Sequence, residues 1–281
     1  MSFVNIALLK QQNNHIERVI LKILFIGDIV GKIGRRMVKD HLPSLIDKYN
    51  IDFVIANGEN ASHGKGLLKH HYHELIASGI DVITLGNHYD NKTEIRKYID
   101  RVDRLVRPLN LLHEYPGEGS VVFDVDGVNI RVTNLLGTAM MPEEVNNPYY
   151  SLLELLSDPD IEPANIHIVD FHAEATGEKV CMAHALKDKA SAVLGTHTHV
   201  QTRDYQIMDG VAYISDVGMT GLNDGALGFD IDSVTNKIIY GKAEPFKIPD
   251  EGKGVLSAVV MDIDEISGKA QNIFPIYLQE E

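Results

Sequence analysis

Six short apolar runs in this 281-residue chain each end in residues able to bind a cation or move a proton. Residues 23–26 lead into Gly27-Asp28, 53–56 into Asn57-Gly58-Glu59-Asn60, and 82–85 into Gly86-Asn87-His88. Residues 166–169 lead into Asp170-Phe171-His172, 192–194 into Gly195-Thr196-His197-Thr198-His199, and 211–214 into Ser215-Asp216-Val217-Gly218. Pooled, the chemistry-bearing side chains are Asp28, Glu59, Asn60, Asn87, His88, His172, His197 and His199. This is a set of hard oxygens and imidazoles without a thiolate. It suits divalent Mn, Fe or Zn in a reactive site better than a structural zinc centre. A carboxylate such as Glu59 can bridge two ions about 3.5–4 Å apart, the spacing of two-metal hydrolytic sites. On an extended segment, His197 and His199 would point to opposite sides, each toward a different ion.

Each cluster alone has an ordinary explanation. Gly-Asp after a strand is commonly a turn or a helix cap, and Gly58-Glu59-Asn60 reads as a loop. Two histidines in a Gly/Thr setting have little packing use, however, and all the clusters fall at the ends of apolar runs.

Those runs, three or four residues long and rich in Ile and Val, predict buried strands. Between the first three, apolar residues recur at helical spacing over 34–48 (Met37, Leu42, Leu45, Ile46) and 69–78 (Leu75, Ile76). Strand–helix–strand alternation implies right-handed crossovers and a parallel core, whose strand-end loops converge on one edge. Residues 120–136 alternate on either side of Asp126-Gly127 and predict a hairpin. The stretch 203–278 reads as strand-rich, with turns at Asp209-Gly210 and Ser267-Gly268. The expectation is an α/β sandwich of two mixed sheets with helices outside. It forms one domain over 22–281 behind an N-terminal extension, 1–21, which is either an added helix or an arm.

The formal net charge of −14 argues against a basic surface for duplex nucleic acid. A small anionic substrate remains compatible, because bound cations supply positive charge locally. The lone Cys181 excludes an intrachain disulfide and a Cys-based metal site, and points to a cytoplasmic protein. It reads as a small buried hydrophobe. No apolar run reaches the roughly 18 residues of a membrane helix, and the polar residues within 1–20 do not suit a signal peptide. A homo-oligomer is left open.

The order of motifs resembles the calcineurin-like metallophosphoesterases, and more closely their YmdB-type bacterial branch. The shared stretches are Gly-Asp-Ile-Val-Gly (27–31), Asn-Gly-Glu-Asn-Ala (57–61), His-Gly-Lys-Gly (63–66), Gly-Asn-His (86–88), Arg-Pro-Leu-Asn (107–110), Asp-Phe-His-Ala-Glu-Ala-Thr (170–176), Gly-Thr-His-Thr-His-Val-Gln-Thr (195–202) and Ser-Asp-Val-Gly-Met (215–219). The resemblance implies the four-layer calcineurin-like sandwich. It implies that Asp28, Glu59, Asn60 and His199 hold one divalent ion, and Glu59, Asn87, His172 and His197 a second, with Fe or Mn favoured and Zn or Mg as alternatives. It further implies phosphodiester hydrolysis, notably of 2′,3′-cyclic nucleotides, with His88 contacting the phosphate and protonating the leaving oxygen. The chain departs from the wider superfamily where Ile29 and Val30 follow Asp28 in place of a third-position His, and where Glu59 replaces the usual bridging Asp. Both fit the YmdB-type branch. Tyr89-Asp90 differs from the Thr-Trp common there.

The implied reaction has a metal-bridging water lose a proton and attack phosphorus in line with the leaving oxygen. Asp90 is expected to favour the protonated form of His88, and Asp170 and Glu174 to orient His172. Arg35 and Lys65 either meet a substrate phosphate or sit at structural positions, the second preferred. His70, His71 and His73 read as solvated, and His167 as a packed neutral imidazole. Dinucleotide-fingerprint and P-loop readings fail on glycine spacing, and an amidohydrolase would carry His-x-His on its first strand. A phosphomonoesterase, or an RNA-metabolism-linked regulatory protein that keeps a metal site but acts by binding partners, stays in view.

Overall fold

The structure, a computed structural model, describes residues 20–281, so nearly all of the expected extension lies outside the described residues. The first half runs β1 (Ile20–Ile26), β2 (Asp28–Ile29), α1 (Gly31–Tyr49), β3 (Phe53–Asn57), α2 (Lys69–Ala77), β4 (Val82–Thr84), β5 (Leu105–Val106), β6 (Ser120–Val125) and β7 (Val128–Leu136). The second runs α3 (Pro148–Leu156), β8 (Ile166–His172), α4 (Thr176–Ala185), β9 (Ala192–Thr196), β10 (Gln206–Met208), β11 (Val211–Ile214), β12 (Met219–Leu222), α5 (Ile231–Ile238), β13 (Gly254–Asp264) and β14 (Ala270–Gln279).

Two mixed sheets result. One has the order β2-β12-β13-β1-β3-β4-β5, with β14 paired to β13; the other is β10-β11-β9-β8-β7-β6. The expected parallel pairing holds for β1–β3–β4–β5 and for β7–β8–β9–β11. The hairpin β6–β7 turns through Asp126 and Gly127 at positive φ, the geometry of a tight two-residue turn.

Strand alternation divides the core. Ile23 and Phe25 of β1 face the second sheet and pack with Ile130, Val132, Ile168 and Leu194. Leu24 and Ile26 face outward, onto Met37, Val38 and Leu42 of α1. On the far side, Val169, Phe171 and Val193 pack under Leu152 of α3 and Met182 and Ala183 of α4. The layers are therefore helix, sheet, sheet, helix. Each buried aliphatic side chain here stabilises the fold by about 1.5–3 kcal/mol relative to exposure.

Some readings are corrected. β1 begins at Ile20, so residues 20 and 21 are strand. The strand-rich tail contains the helix α5, whose N-cap Asp230 accepts from the Ser233 backbone N–H. Cys181 is exposed on α4. His71 is buried, with Nδ1 2.7 Å from Ser62 Oγ, whereas His70 and His73 are exposed. His167 is the packed imidazole expected, between Thr133 Oγ1 and the Lys189 carbonyl, each at 2.9 Å. No described helix is long and apolar enough to cross a membrane.

Candidate metal centre

The strand ends of both sheets meet at one edge of the sandwich. The first sheet brings Asp28, Glu59, Asn60, Asn87 and His88; the second brings His172, His197 and His199. Glu59 lies between two groups of ligand atoms. Its Oε1 is 3.3 Å from His172 Nε2 and 2.9 Å from Asn60 Nδ2, and its Oε2 accepts from the His88 backbone N–H at 2.9 Å. Glu59, His172 and His197 present ligand atoms within 4.8 Å of one another.

On one side, His172 Nε2 is 3.0 Å from Asn87 Oδ1 and 3.1 Å from His197 Nδ1. On the other, Asn60 Nδ2 is 3.2 Å from His199 Nε2, and Asp28 Oδ1 is 3.9 Å from that nitrogen. The approach of these groups requires Gly86. A Cβ there would overlap the Glu59 carboxylate and the His172 imidazole.

The outer nitrogen of each imidazole is engaged, which fixes the tautomer. Thr196 Oγ1 donates to Asp170 Oδ1 at 2.7 Å and therefore accepts from His172 Nδ1 at 2.9 Å. His197 Nε2 faces Glu174 Oε2 at 3.2 Å, and His199 Nδ1 donates to the Leu227 carbonyl at 2.9 Å. The lone pairs of His197 and His199 are left aimed inward, and His172 presents a third once Nε2 gives up its proton.

Burial alone would drive charge out of this cluster, yet it holds carboxylates. Burial raises Asp28 to about 6, against the pull of His199 and His172. Burial also opposes charge on Glu59, but His172 and His88 outweigh it and hold that carboxyl well below the usual range. Burial disfavours the imidazolium of His172, but Glu59, Asp28 and Asp170 push it up to about 9. Desolvation of the half-buried His197, with His172 beside it, brings it down to about 3. Concentrated carboxylate and inward lone pairs call for positive charge. Asp28 Oδ1 and Asn60 Oδ1 are buried with no hydrogen-bond partner. Rotating the Asn60 amide would put its oxygen where Nδ2 now stands, between Glu59 and His199. These residues fit divalent cations, with Glu59 able to serve two.

His197 and His199 reach different sides, but not by strand alternation as expected. β9 stops at Thr196, and both histidines take positive φ, 107° and 68°. A buried ion pair holds this conformation. Lys179 Nζ donates to the Thr196 carbonyl at 2.9 Å and to Asp216 Oδ2 at 3.0 Å, and Asp216 also accepts from Thr198 N and Oγ1.

Other expectations shift. Asp90 does not face His88; it forms a two-point pair with Arg96. Burial pushes His88 down, Glu59 pulls it up, and Lys65 pushes it down again. Asp170 serves His172 through Thr196, and Glu174 serves His197 instead of His172. Arg35 is buried and structural, tied to Glu74 and the Ala61 carbonyl beneath the Glu59 loop. Sequence reasoning missed Glu143, whose Oε1 accepts from Asn87 Nδ2 at 3.1 Å. Nor did it flag Lys179, mid-helix and far from any strand end. Thr196 and Asp216 sat inside motifs whose other members drew attention.

Above the cluster opens a cleft of about 310 Å³, lined by Glu59, His88, His197 and His199 and, on one side, Leu227 and Phe229.

Comparison with known proteins identifies the family. The family model described as YmdB-like protein matches residues 24–276. A Bacillus subtilis (strain 168) protein named 2′,3′-cyclic-nucleotide 2′-phosphodiesterase is 45% identical over 262 residues, 93% of this chain and 98% of that one. A Mycoplasma pneumoniae structure described as a novel phosphatase superposes with TM-score 0.88 at 37% identity, covering 94% of this chain and 95% of the other. A putative 5′-nucleotidase from Staphylococcus aureus, 15% identical, shares the fold with TM-score 0.59, over 94% of this chain and 55% of that one. The chain belongs to the YmdB-like family of calcineurin-like phosphoesterases.

Proposed function

We propose that this hydrolase is a cytoplasmic phosphodiesterase acting on 2′,3′-cyclic nucleotides with two divalent ions, iron or manganese foremost. The reading is carried by Glu59, placed between two sets of inward-facing ligand atoms at the floor of a cleft that also holds His88. The strong similarity to the B. subtilis phosphodiesterase supports the substrate class.

In this reading Glu59, Asn87, His172 and His197 hold one ion, and Asp28, Glu59, Asn60 and His199 the other. When bound, the ions supply Lewis acidity and positive charge, which make water nucleophilic near neutral pH and neutralise the phosphoryl oxygens. The protein does the positioning. The Thr196, Glu174 and Leu227 contacts keep three imidazole lone pairs turned inward, and Glu143 keeps the Asn87 oxygen turned the same way. Water adds to phosphorus, the ester bond to the ribose 2′ oxygen breaks, and a 3′-monophosphate remains. His88 gives its proton to the departing oxygen. Burial depresses its basicity, so a bound phosphodiester anion, with Glu59, supplies the charge that keeps it protonated.

The test is elemental analysis of purified protein, paired with assays on 2′,3′-cyclic AMP, bis-p-nitrophenyl phosphate and p-nitrophenyl phosphate. Turnover of the diesters without the monoester, abolished by chelator and restored by manganese, is the expected result. Metal-free protein with no diester turnover after reconstitution would end the proposal.

A further inference from the structure

We infer that the turn between β12 and α5 builds a nucleobase subsite, with the side chains of Leu227 and Phe229 as its walls. The inference rests on the phosphodiesterase reading and specifies how the non-phosphate end of the substrate is held.

The cleft has two chemical ends. Glu59, His88, His197 and His199 make one end polar, and the large apolar side chains lining the cleft, Leu227 and Phe229, share one segment. Backbone hydrogen bonds in both directions between Ala226 and Phe229, at 2.9 and 3.0 Å, close that segment into a tight turn. Leu227 and Gly228 occupy its two central positions with φ of 55° and 87°. Asn, Asp or Gly adopts that conformation at least cost, whereas a branched side chain there is strained. Leu227 is nonetheless half exposed, at 49%, so burial in the core does not explain its presence. What it offers is an apolar surface at the mouth of the cleft.

Strain held at a site edge is a recurring mark of function, and a second feature ties this residue to the chemistry. The Leu227 carbonyl receives the His199 Nδ1 hydrogen at 2.9 Å, so the apolar wall is hydrogen-bonded directly to an imidazole of the candidate metal centre. Phe229 is braced from behind. Its ring packs on Phe246 at 5.3 Å between centroids, and Lys237 Nζ lies 4.6 Å over the Phe246 ring. A braced aromatic ring beside a half-exposed aliphatic side chain is a platform for a flat heterocycle. A nucleoside carries such a group at the far side of the ribose from its phosphate.

The test compares kcat/KM for 2′,3′-cyclic AMP and for glycerol 1,2-cyclic phosphate, which keeps the strained diester and lacks a base. In manganese-loaded wild type, the nucleotide should be strongly preferred. Phe229→Ala should lower the ratio of the two kcat/KM values by about 10-fold, the effect of losing one base–aromatic contact. A ratio unchanged from wild type would overturn the subsite. Should Phe229→Ala lose its near-ultraviolet circular dichroism and so not be folded, adenosine is tested as an inhibitor of glycerol cyclic phosphate hydrolysis by wild type. Competitive inhibition by adenosine and none by ribose supports the subsite, and equal effects of the two overturn it. Failure of wild type to hydrolyse either cyclic diester is a different result, which removes the phosphodiesterase reading itself.

Discussion

Glu143 holds the amide of Asn87 from behind, its Oε1 accepting from Nδ2 at 3.1 Å, while the Asn87 oxygen faces His172 Nε2 at 3.0 Å. An asparagine amide can turn over at little cost unless something distinguishes its two ends, and a carboxylate does so because it only accepts.

Glu143→Ala should therefore weaken metal binding about 10–100-fold, the usual effect of removing the partner of a ligand. Titration calorimetry with manganese on metal-stripped protein reads this directly. Glu143→Gln keeps an acceptor oxygen and should recover most of the affinity. Wild-type affinity in the alanine variant would show that Asn87 needs no such guide.

His88→Ala should cut turnover of 2′,3′-cyclic AMP by about 10²–10⁴-fold, the contribution of a positioned acid. Metal content should be unchanged, because the His88 contact to Glu59 runs through the backbone N–H. Full activity in this variant would remove His88 from the proton pathway.

Lys179 and Asp216 are both almost fully buried, and between them they fix Thr196 and Thr198 on either side of His197. Asp216→Asn leaves the Lys179 ammonium without its counter-charge and should cost about 3–5 kcal/mol in urea unfolding. Removing both charges together, as Lys179→Met with Asp216→Asn, should cost less than the sum of the single changes. Additive losses would mean the two groups act separately.

The acid limb of stability has an identifiable source outside the metal site. Burial lowers His167 to about 4, below the ordinary imidazole value of 6.5. The folded state prefers it neutral, so its contribution is complete above about pH 6.5 and is lost as pH falls through about 4. The integrated loss is about 3 kcal/mol. His71, lowered to about 4 by burial and by Arg35, acts in the same direction. Urea midpoints measured from pH 7.5 to pH 4 should fall less steeply for His167→Gln than for wild type. Identical slopes would place the acid sensitivity elsewhere.

The residues that converge on the edge were legible because each follows an apolar run, and parallel strands put their C-terminal loops together. Glu59, His172 and His197 needed only strand ends and residue type. Side chains acting at one remove were not legible. Glu143 reaches Asn87 from a loop with no strand pattern, and Lys179 reaches Asp216 from the middle of α4. Asp90 illustrates the opposite error: adjacency in sequence suggested contact with His88, but Arg96, six residues on, offered a bidentate partner. His197 and His199 reach opposite sides as expected, but through positive φ and not period-two alternation, because β9 ends at Thr196 and a buried ion pair shapes the segment beyond it.

The proposed ligand atoms come from both sheets, with Asp28, Glu59, Asn60 and Asn87 on one and His172, His197 and His199 on the other. Cations seated there would rivet two slabs whose interior contacts are mainly apolar, with few buried polar links such as Asn57 to Asp170. No fragment confined to a single slab could gather the full set. Loading the centre should therefore make the entire domain harder to unfold, and supply of the ion would govern how long the protein survives as well as how fast it works.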